Sequence, residues 1–301
     1  MLTKRSIEKR LEKVSALRKL SIWWADRKAT SWQRRNPGRP FSDYYVAHVR
    51  RHLDRGRPHP TLGNQGFDHE VGTKIGWDQA NFATRGRNAW REYLAAGVEP
   101  WMRIVDYGCG SLRVGQHAIR FAERGNYWGI DVSQSFIDDG RKLVDPSLIE
   151  DKRPQMSVIS DELINLIAVW EPQFIFSHTV LQHVPEAELE AYFKRLAIMM
   201  GPACRAVLEF VAAPRTQRHK AMSWAYSDAH LYAIAAKADP TWSIAFEAVA
   251  EGDSKVMRKP RRVMILERAV EKIALARWGG TIRRGHAPRR AWPIALACGS
   301  A

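Results

Sequence analysis

The chain has 301 residues, of which 45% are hydrophobic and 26% charged, and its formal net charge is +15. These proportions are ordinary for a globular protein with a core of normal size, and they exclude a chain that is disordered throughout. No apolar run of about 18 residues occurs, so we expect no membrane-spanning helix, and the N-terminus lacks the apolar stretch of a secretory signal. Three separated cysteines without a paired framework are typical of a reducing compartment. We therefore expect a cytoplasmic protein.

The positive charge is concentrated at the two ends of the chain. Residues 1–60 hold 16 Lys and Arg against 5 Asp and Glu, and residues 255–301 hold 12 against 2. Residues 61–254 hold 19 against 25 and are mildly acidic. Basic ends beside an acidic middle indicate that an anionic partner is met by the ends of the chain.

Residues 1–40 are predicted to form a basic, amphipathic helical extension. Apolar residues recur there at steps of three or four, which places them on one helical face, and Lys and Arg fill the other face. The apolar residues are Ile7, Leu11, Val14, Leu17, Leu20 and Trp24. Such a helix docks on the core, pairs with another helix or lies on an anionic membrane, and the sequence leaves these three open. Residues 41–77 are rich in Gly, His and Pro without a clear period, and we predict an irregular approach segment.

Residues 78–268 are predicted to be one α/β domain, followed by a basic C-terminal tail at residues 269–301. Predicted strands cover residues 102–106, 127–131, 156–159, 174–177, 206–210, 244–249 and 263–266. A predicted helix ends at residue 96, others cover residues 111–123, 133–144, 185–200 and 228–238, and a short one starts at residue 162. Strands that alternate with helices predict a parallel sheet covered on both faces, and the last two strands predict an antiparallel hairpin at its edge.

The first predicted strand runs into Asp-Tyr-Gly-Cys-Gly-Ser-Leu-Arg-Val-Gly at residues 106–115. Gly108 and Gly110 allow a tight turn and a close approach of ligand to backbone, and the next helix points its positive end at that ligand. Asp131, at the tip of the second strand, can accept hydrogen bonds from both hydroxyls of a ribose. A nicotinamide dehydrogenase would carry a third glycine where Arg113 stands. An acid two residues before Gly108 would also repel a pyrophosphate, whereas it suits a cationic ligand.

This run resembles the class I S-adenosylmethionine (SAM)-dependent methyltransferases, whose first strand ends in an acid followed by Gly-x-Gly. The form Gly-Cys-Gly-Ser-Leu-Arg resembles a subgroup often associated with bacterial surface-glycan biosynthesis. The similarity covers about residues 78–268, and it departs from the wider pattern where Leu112 replaces the last glycine. The resemblance implies an α/β, Rossmann-like fold with a seven-stranded, mostly parallel sheet in the order 3-2-1-4-5-7-6, which agrees with the seven predicted strands.

The resemblance also implies a set of SAM contacts. Asp106 and the glycine loop would meet the methionine part, and Asp131 would hold the ribose. Asp161 would lie near the adenine amino group, with Glu162 or Leu163 beside it. The cofactor-binding candidates are Asp106, Gly108, Cys109, Gly110, Asp131, Val132, Asp161, Glu162 and Ser177.

Two histidines near the fourth strand are the catalytic candidates. The carboxyl ends of parallel strands form the ligand crevice, so Ser177 and His178 should face it. An imidazole titrates near neutral pH, which makes His178 a candidate base for a hydroxyl acceptor, and His183 is a second candidate. Either ring could instead fill space or bond to the backbone. No further Cys, His or Asp pattern indicates a metal, and we predict no metal site.

The stretch after the fifth predicted strand is the candidate acceptor site, because members of the resembled family commonly place acceptor contacts there. It mixes cations with aromatic rings, which suits a sugar face or a phosphate, although a solvated loop remains the alternative. The candidates are Arg215, His219, Trp224 and Tyr226. Arg85, Arg87 and Arg91, ahead of the first strand, are further candidates for closing over the cofactor.

Together these features predict an enzyme that uses SAM to O-methylate a sugar or another small hydroxyl on a glycan or lipid-linked intermediate. The acceptor could be anionic, and the basic ends would keep the enzyme at the inner face of an anionic membrane. The alternative is a nucleic-acid methyltransferase whose basic ends bind phosphates. Base-methylating enzymes typically carry an Asn/Asp-Pro-Pro-aromatic run where this chain has Ser-His-Thr-Val. A third possibility, a scaffold that binds no SAM, is disfavoured by the intact Asp106, glycine loop and Asp131.

Overall fold

The structure is a computed structural model that describes residues 4–54, 66–68, 73–75, 79–220, 222–249 and 260–268. The predicted C-terminal tail, residues 269–301, lies outside the described residues, and so does most of the segment between residues 55 and 78. Among the helices described, none is long and apolar enough to cross a membrane.

Seven strands form the central sheet, and both ends of each strand lie within two residues of the predicted ends. They are β1 (Ile104–Tyr107), β2 (Tyr127–Asp131), β3 (Gln155–Val158), β4 (Phe174–Ser177), β5 (Arg205–Val211), β6 (Trp242–Ala248) and β7 (Arg261–Arg268). Their order is β3-β2-β1-β4-β5-β7-β6, with the first five parallel and β7 antiparallel to both of its neighbours. This confirms the predicted mostly parallel, Rossmann-like sheet and its strand order.

Nine helices surround or precede this sheet in the described part of the chain. They are α1 (Lys4–Arg35), α2 (Phe41–Asp54), α3 (Gln79–Ala95), α4 (Gly115–Phe121), α5 (Gln134–Leu143), α6 (Pro146–Lys152), α7 (Asp161–Trp170), α8 (Glu186–Met199) and α9 (Asp228–Ala238). The helix predicted from residue 111 begins only at Gly115, because the chain first turns through Leu112, whose φ is +60°. Helix α6, which was not predicted, starts with Asp145 accepting a hydrogen bond from the Ser147 amide, an ordinary N-cap.

The core lies in two layers, one on each face of the sheet. Neighbouring residues of a strand point to opposite faces, so Ile104 packs in one layer and Val105 in the other. The layer with Ile104 is completed by α3, α4 and α5, and the layer with Val105 by α2, α7, α8 and α9. Both strand faces are therefore apolar, as expected for a parallel sheet that is covered on both sides.

The prediction that residues 41–77 are irregular is wrong at its start, where α2 covers Phe41–Asp54. Phe41, Tyr44 and Val49 are buried on one face of this helix, at a helical spacing. This apolar repeat is short and lies between Pro40 and the Gly- and Pro-rich stretch after residue 54, which is why the sequence suggested an irregular segment. A small hairpin, Gly66–Asp68 paired with Thr73–Ile75, also lies in the segment.

The segment after β5 folds into a second hairpin, Gln217–Lys220 paired with Ser223–Ala225, rather than a solvated loop. Helices α1 and α2 dock on it. Asp26 of α1 pairs with Arg218 at 2.5 Å, and Phe41 packs edge-on against the Trp224 ring at a centroid distance of 5.1 Å. Helix α1 continues to Arg35, beyond the apolar repeat that predicted it.

Candidate active site

A cavity of about 680 Å³ lies at the carboxyl end of the parallel strands. Its wall is formed by the segments that follow β1, β2, β3 and β4, and by the start of α2. This is the crevice in which open α/β sheets bind their ligands.

The loop after β1 is a tight turn that only glycine fits. Gly108 has a φ of +89°, and a Cβ on it would lie 2.3 Å from Cγ2 of Val180. The amides of Gly108 and Cys109 both donate to the Ile130 carbonyl, at 2.7 and 3.0 Å. The Gly110 amide donates to Oδ2 of Asp131 at 2.8 Å. The loop is thus fixed to β2, with its backbone exposed to the cavity.

Two buried carboxylates, Asp106 and Asp131, line the cavity on either side of this loop. Burial raises the pKa of Asp106 to about 8, although the Tyr127 hydroxyl donates to its Oδ2 at 2.9 Å and acts to lower it. Burial also raises the pKa of Asp131 to about 6, against the lowering effect of the Gly110 and Ser133 amides. Both carboxyls would be stabilised in their ionised form by a cationic or hydroxyl-bearing ligand in the cavity.

His178 lies just after β4, in contact with a buried carboxylate that the sequence analysis missed. Its Nδ1 lies 2.5 Å from Oε2 of Glu209 on β5 and 3.2 Å from the Tyr93 hydroxyl oxygen. Arg261 of β7 contacts the other oxygen of Glu209. The Glu209 pKa is pushed upward by burial, but the nearby His178 and Arg261 hold it well below its usual range. Glu209 is therefore ionised inside the sheet.

The surroundings of the His178 ring favour its neutral form. Burial lowers its pKa, and the charges of Arg113 and Arg261 act in the same direction, whereas Glu209 acts to raise it. A carboxylate can only accept a proton, so the closeness of Glu209 to Nδ1 favours the tautomer of the neutral ring that carries its proton on Nδ1. In that tautomer Nε2 carries the lone pair, and His178 is one of the residues that line the cavity.

Glu92 of α3 also lies near this pair. Side-chain ligand atoms of Glu92, His178 and Glu209 all lie within 4.8 Å of one another, the one such group in the described part of the chain. Burial and, to a smaller extent, the charge of Glu209 raise the pKa of Glu92 to about 7, against the lowering effect of Arg261. Arg261 forms an ion pair with Glu209, so this carboxylate already has a positively charged partner without a metal ion. The prediction that the chain has no metal site stays a prediction.

His183 also lines the cavity, but both of its nitrogens have protein partners. Nδ1 lies 2.8 Å from the Met222 carbonyl, which only accepts, so Nδ1 carries the proton. Nε2 lies 3.2 Å from the Gln182 amide nitrogen, and the ring faces Tyr45 at 4.9 Å. His183 is suited to forming the wall, and His178 is the better-placed base.

Eight of the predicted site residues are brought together in the cavity wall. They are Asp106, Gly108, Cys109, Gly110, Asp131, Val132, His178 and His183. Three cofactor candidates are not. Ser177 is fully buried, donating to the Tyr107 carbonyl and accepting from Tyr192, both at 2.8 Å. Asp161 and Glu162 are exposed, and Val158 and Ile159 line the cavity in their place.

The predicted acceptor residues are not in the cavity wall either. Trp224 is buried beneath the Arg218 guanidinium, 4.4 Å from its ring centroid, and the Tyr226 hydroxyl donates to the Val184 carbonyl. His219 is buried in the same hairpin, whereas Arg215 is exposed before it. Trp224 packs against Phe41 of α2, and the Tyr226 ring stacks on His230 of α9, so both rings have packing partners within the protein.

The cavity has cationic residues that the sequence analysis did not select. Arg85, Arg87 and Arg91 are exposed and lie outside the wall, whereas Arg113 and Arg195 line it. Arg195 projects from α8, a helix that gave no functional signal in the sequence. The sequence does contain a signal for Glu209, which is an acidic residue within the apolar run of a predicted buried strand. Acidic residues are almost never fully buried unless they are paired with another group.

No protein-family model matches this chain, and no curated protein matches its sequence. Among solved structures, it is similar to magnesium protoporphyrin IX methyltransferase from Synechocystis PCC 6803. The form with bound SAH (S-adenosylhomocysteine) has 16% identity and a TM-score of 0.50, with 76% of this chain and 98% of that chain covered. The SAM-bound form has 18% identity and a TM-score of 0.50, with 76% and 95% covered.

A TehB-like SAM-dependent methyltransferase from Corynebacterium glutamicum is also similar, with 15% identity and a TM-score of 0.42 over 76% of this chain and 98% of that chain. The two Synechocystis structures, at a TM-score of 0.50 and identities of 16 and 18%, show the fold alone. The chain has the Rossmann-like fold of SAM-dependent methyltransferases.

Proposed function

We propose that this chain is a SAM-dependent methyltransferase whose cofactor binds in the cavity at the end of β1–β4. The observation that carries the proposal is the glycine loop held between two buried carboxylates, Asp106 and Asp131. The solved structures of similar fold were obtained with SAM or SAH bound, which supports the same ligand here.

The residues of the cavity fit each part of SAM. The raised pKa of Asp106 reports a carboxyl that lacks a countercharge, and the cationic methionine part of SAM would supply one. Asp131 still has lone pairs for ribose hydroxyls after accepting from two amides. Val158 and Ile159 offer apolar surface for the adenine. Bound SAM supplies an electrophilic methyl group on a positively charged sulfur.

His178 is the proposed general base, with Glu209 and Arg261 as positioning residues. Glu209 fixes the Nδ1 tautomer, so that Nε2 can take the proton of an acceptor hydroxyl as it attacks in line. Glu209 also stabilises the resulting imidazolium, and Arg261 keeps Glu209 ionised when the ring is neutral. A carboxylate that orients a histidine base is a recurring arrangement in enzymes that activate hydroxyls.

The proposed acceptor is a hydroxyl of a sugar or another small molecule, on a glycan or lipid-linked intermediate. A hydroxyl needs a base more than an amine or a thiol does, which fits the neutral His178. Tyr45 and Tyr192 add rings to the cavity wall, and Arg113 and Arg195 add charges that pair with phosphate or carboxylate. The proposed location is the cytoplasm, with peripheral contact to the inner face of the membrane.

A nucleic-acid acceptor is the second candidate, because the basic ends of the chain could bind phosphates. Methyl incorporation from radiolabelled SAM into nucleotide-linked sugars, lipid-linked oligosaccharide and total RNA separates the two. We expect incorporation in a sugar arm and none in RNA. Incorporation into RNA alone, with a steep salt dependence of binding, would favour the second candidate.

The cofactor proposal is tested by calorimetric titration with SAM. Asp131→Ala should weaken binding by about 100-fold, because two hydrogen bonds to a charged group are worth about 3 kcal/mol together. Asp151→Ala is the matched control, since that side chain is exposed on α6 and lies outside the cavity wall. Equal SAM affinity in the two variants, or no SAM binding by the wild type, would reject the proposal.

The proposed base is tested on whichever acceptor takes the methyl group. His178→Gln should lower kcat by about 10² to 10⁴ without changing SAM affinity. In Glu209→Gln the acid limb of the pH–rate profile should move to lower pH, because Glu209 acts to raise the His178 pKa. Full activity in His178→Gln would leave alignment of the reactants as the sole catalytic device.

A further inference from the structure

Helix α1 has a face of large apolar side chains exposed to solvent. Leu17, Leu20, Trp23 and Trp24 are 65, 51, 47 and 53% exposed. Leu17, Leu20 and Trp24 fall within about 60° of one another on a helix of 3.6 residues per turn. We call these four residues the α1 outer face. Leu17, Leu20 and Trp24 belong to the predicted apolar face, for which docking on the core, pairing with another helix and lying on a membrane were all left open, but α1 is attached to the protein by other residues.

The attachment fixes which way α1 points. Ala25 and Ala29 are buried, and Asp26 pairs with Arg218 of the hairpin that follows β5. These residues lie on the opposite side of the helix from Leu20. The α1 outer face is therefore directed away from the core, and the described part of the molecule leaves it uncovered.

Positive charge surrounds the α1 outer face. Helix α1 contains 11 Lys and Arg against 3 Asp and Glu. Lys19, Arg27 and Lys28 are exposed, and Arg34 and Arg35 extend the exposed basic run to the helix end. The Arg27 guanidinium lies over the Trp23 ring, 4.8 Å from its centroid. Apolar and basic groups therefore share one surface.

We propose that the α1 outer face binds the surface of an anionic lipid bilayer. Tryptophan favours the headgroup region, leucine favours the acyl boundary, and Lys and Arg pair with anionic headgroups. A second copy of this chain is a poorer occupant, because it would bring like charges together around the apolar contact. A nucleic acid would satisfy the charges but leave the leucines in contact with water.

This surface is close in sequence to the cavity. Helix α1 ends at Arg35, and Pro40, Ser42 and Tyr45 already line the cavity wall. A bilayer-bound α1 is thus linked by a few residues to the wall of the cavity. This favours a lipid-linked acceptor over a freely diffusing one, a consequence that rests on the proposed function.

The test is co-sedimentation of the full-length protein with lipid vesicles. Vesicles of phosphatidylcholine with phosphatidylserine should bind the protein at least about tenfold better than phosphatidylcholine alone, and added salt should reduce the difference. The double variant Trp23→Ser/Trp24→Ser should lower the partition coefficient by on the order of tenfold or more, from the lost apolar contact. Trp101→Ser is the matched control, because Trp101 is 54% exposed but belongs to the segment between α3 and β1 rather than to the α1 outer face.

Equal binding to both kinds of vesicle, or equal loss in the double variant and in Trp101→Ser, would overturn the proposal. A dimer in sedimentation velocity that the double variant dissociates, without vesicle binding, would make a second copy the occupant and would also overturn it. Titration with SAM separates this test from the proposed function. The double variant should keep wild-type SAM affinity, whereas a wild type that binds vesicles but not SAM would refute only the function.

Discussion

Replacing Gly108 with alanine should disable the glycine loop through two separable effects. The first is conformational, because a residue with a Cβ is disfavoured at the φ of +89° found there. The second is steric, because the new Cβ would lie 2.3 Å from Cγ2 of Val180. The left-handed conformation costs about 1–2 kcal/mol for a non-glycine residue, and an overlap with packed atoms typically costs about 1–3 kcal/mol.

The two effects can be measured apart with variants that the chain itself provides. Gly125 has a φ of +81°, and a Cβ added there would meet no atom within 4 Å, so Gly125→Ala should show the conformational cost alone. Gly108→Ala should destabilise the protein by about 2–5 kcal/mol, the sum of both costs. Adding Val180→Ala to Gly108→Ala removes the Val180 methyl groups that the new Cβ would overlap. A double-mutant cycle on the free energy of unfolding should therefore give a coupling energy of about 1–3 kcal/mol.

The assays are denaturant unfolding for stability and calorimetric titration for SAM binding. Gly108→Ala should displace the loop, which is part of the proposed SAM site. SAM binding should weaken by more than about tenfold, which corresponds to a loss of at least about 1.4 kcal/mol of binding free energy. Gly125→Ala should keep wild-type SAM affinity. Equal SAM affinity in both variants would refute the reasoning that the loop holds the cofactor, and a coupling near zero would refute the steric argument.

Two further predictions follow from the buried polar groups. Burial raises the Asp106 pKa to about 8, so the free protein holds this carboxyl mainly protonated at pH 7. A bound cation favours ionisation, so SAM binding should release up to one proton and strengthen between about pH 6 and 8. Calorimetry in buffers of different ionisation enthalpy measures the release, which Asp106→Asn should abolish. Ser177→Ala leaves the Tyr192 hydroxyl without its acceptor and should cost about 1–3 kcal/mol in urea unfolding, with unchanged SAM affinity. Lost SAM affinity at unchanged stability would contradict this structural role.

The sheet was predictable because its signals are local and strong. Runs such as residues 174–176 are continuously apolar, as is typical of strands buried on both faces. The turn residues between them, including Gly97, Gly125 and Gly201, mark their bounds in the sequence. Helix α2 was missed because its period spans only about three turns between segments rich in Pro and Gly.

The cofactor half of the site was predictable because it lies in one sequence run, residues 106–115, and at the next strand tip. The catalytic half was not, because Glu209 and Arg261 meet His178 only through strand pairing between β4, β5 and β7. The acceptor candidates lie outside the cavity wall for a related reason. Trp224 and Tyr226 look like ligand contacts in sequence, but the Trp224 ring packs against Phe41 of α2 and the Tyr226 ring stacks on His230 of α9.

A crystal structure of the full-length protein with SAH tests the central claim most directly. We expect the ribose hydroxyls at the Asp131 carboxylate, the amino acid part beside Asp106 and the glycine loop, and the adenine against Val158 and Ile159. Density for the nucleoside at another place on the molecule, or crystals that take up none at saturating concentration, would contradict it.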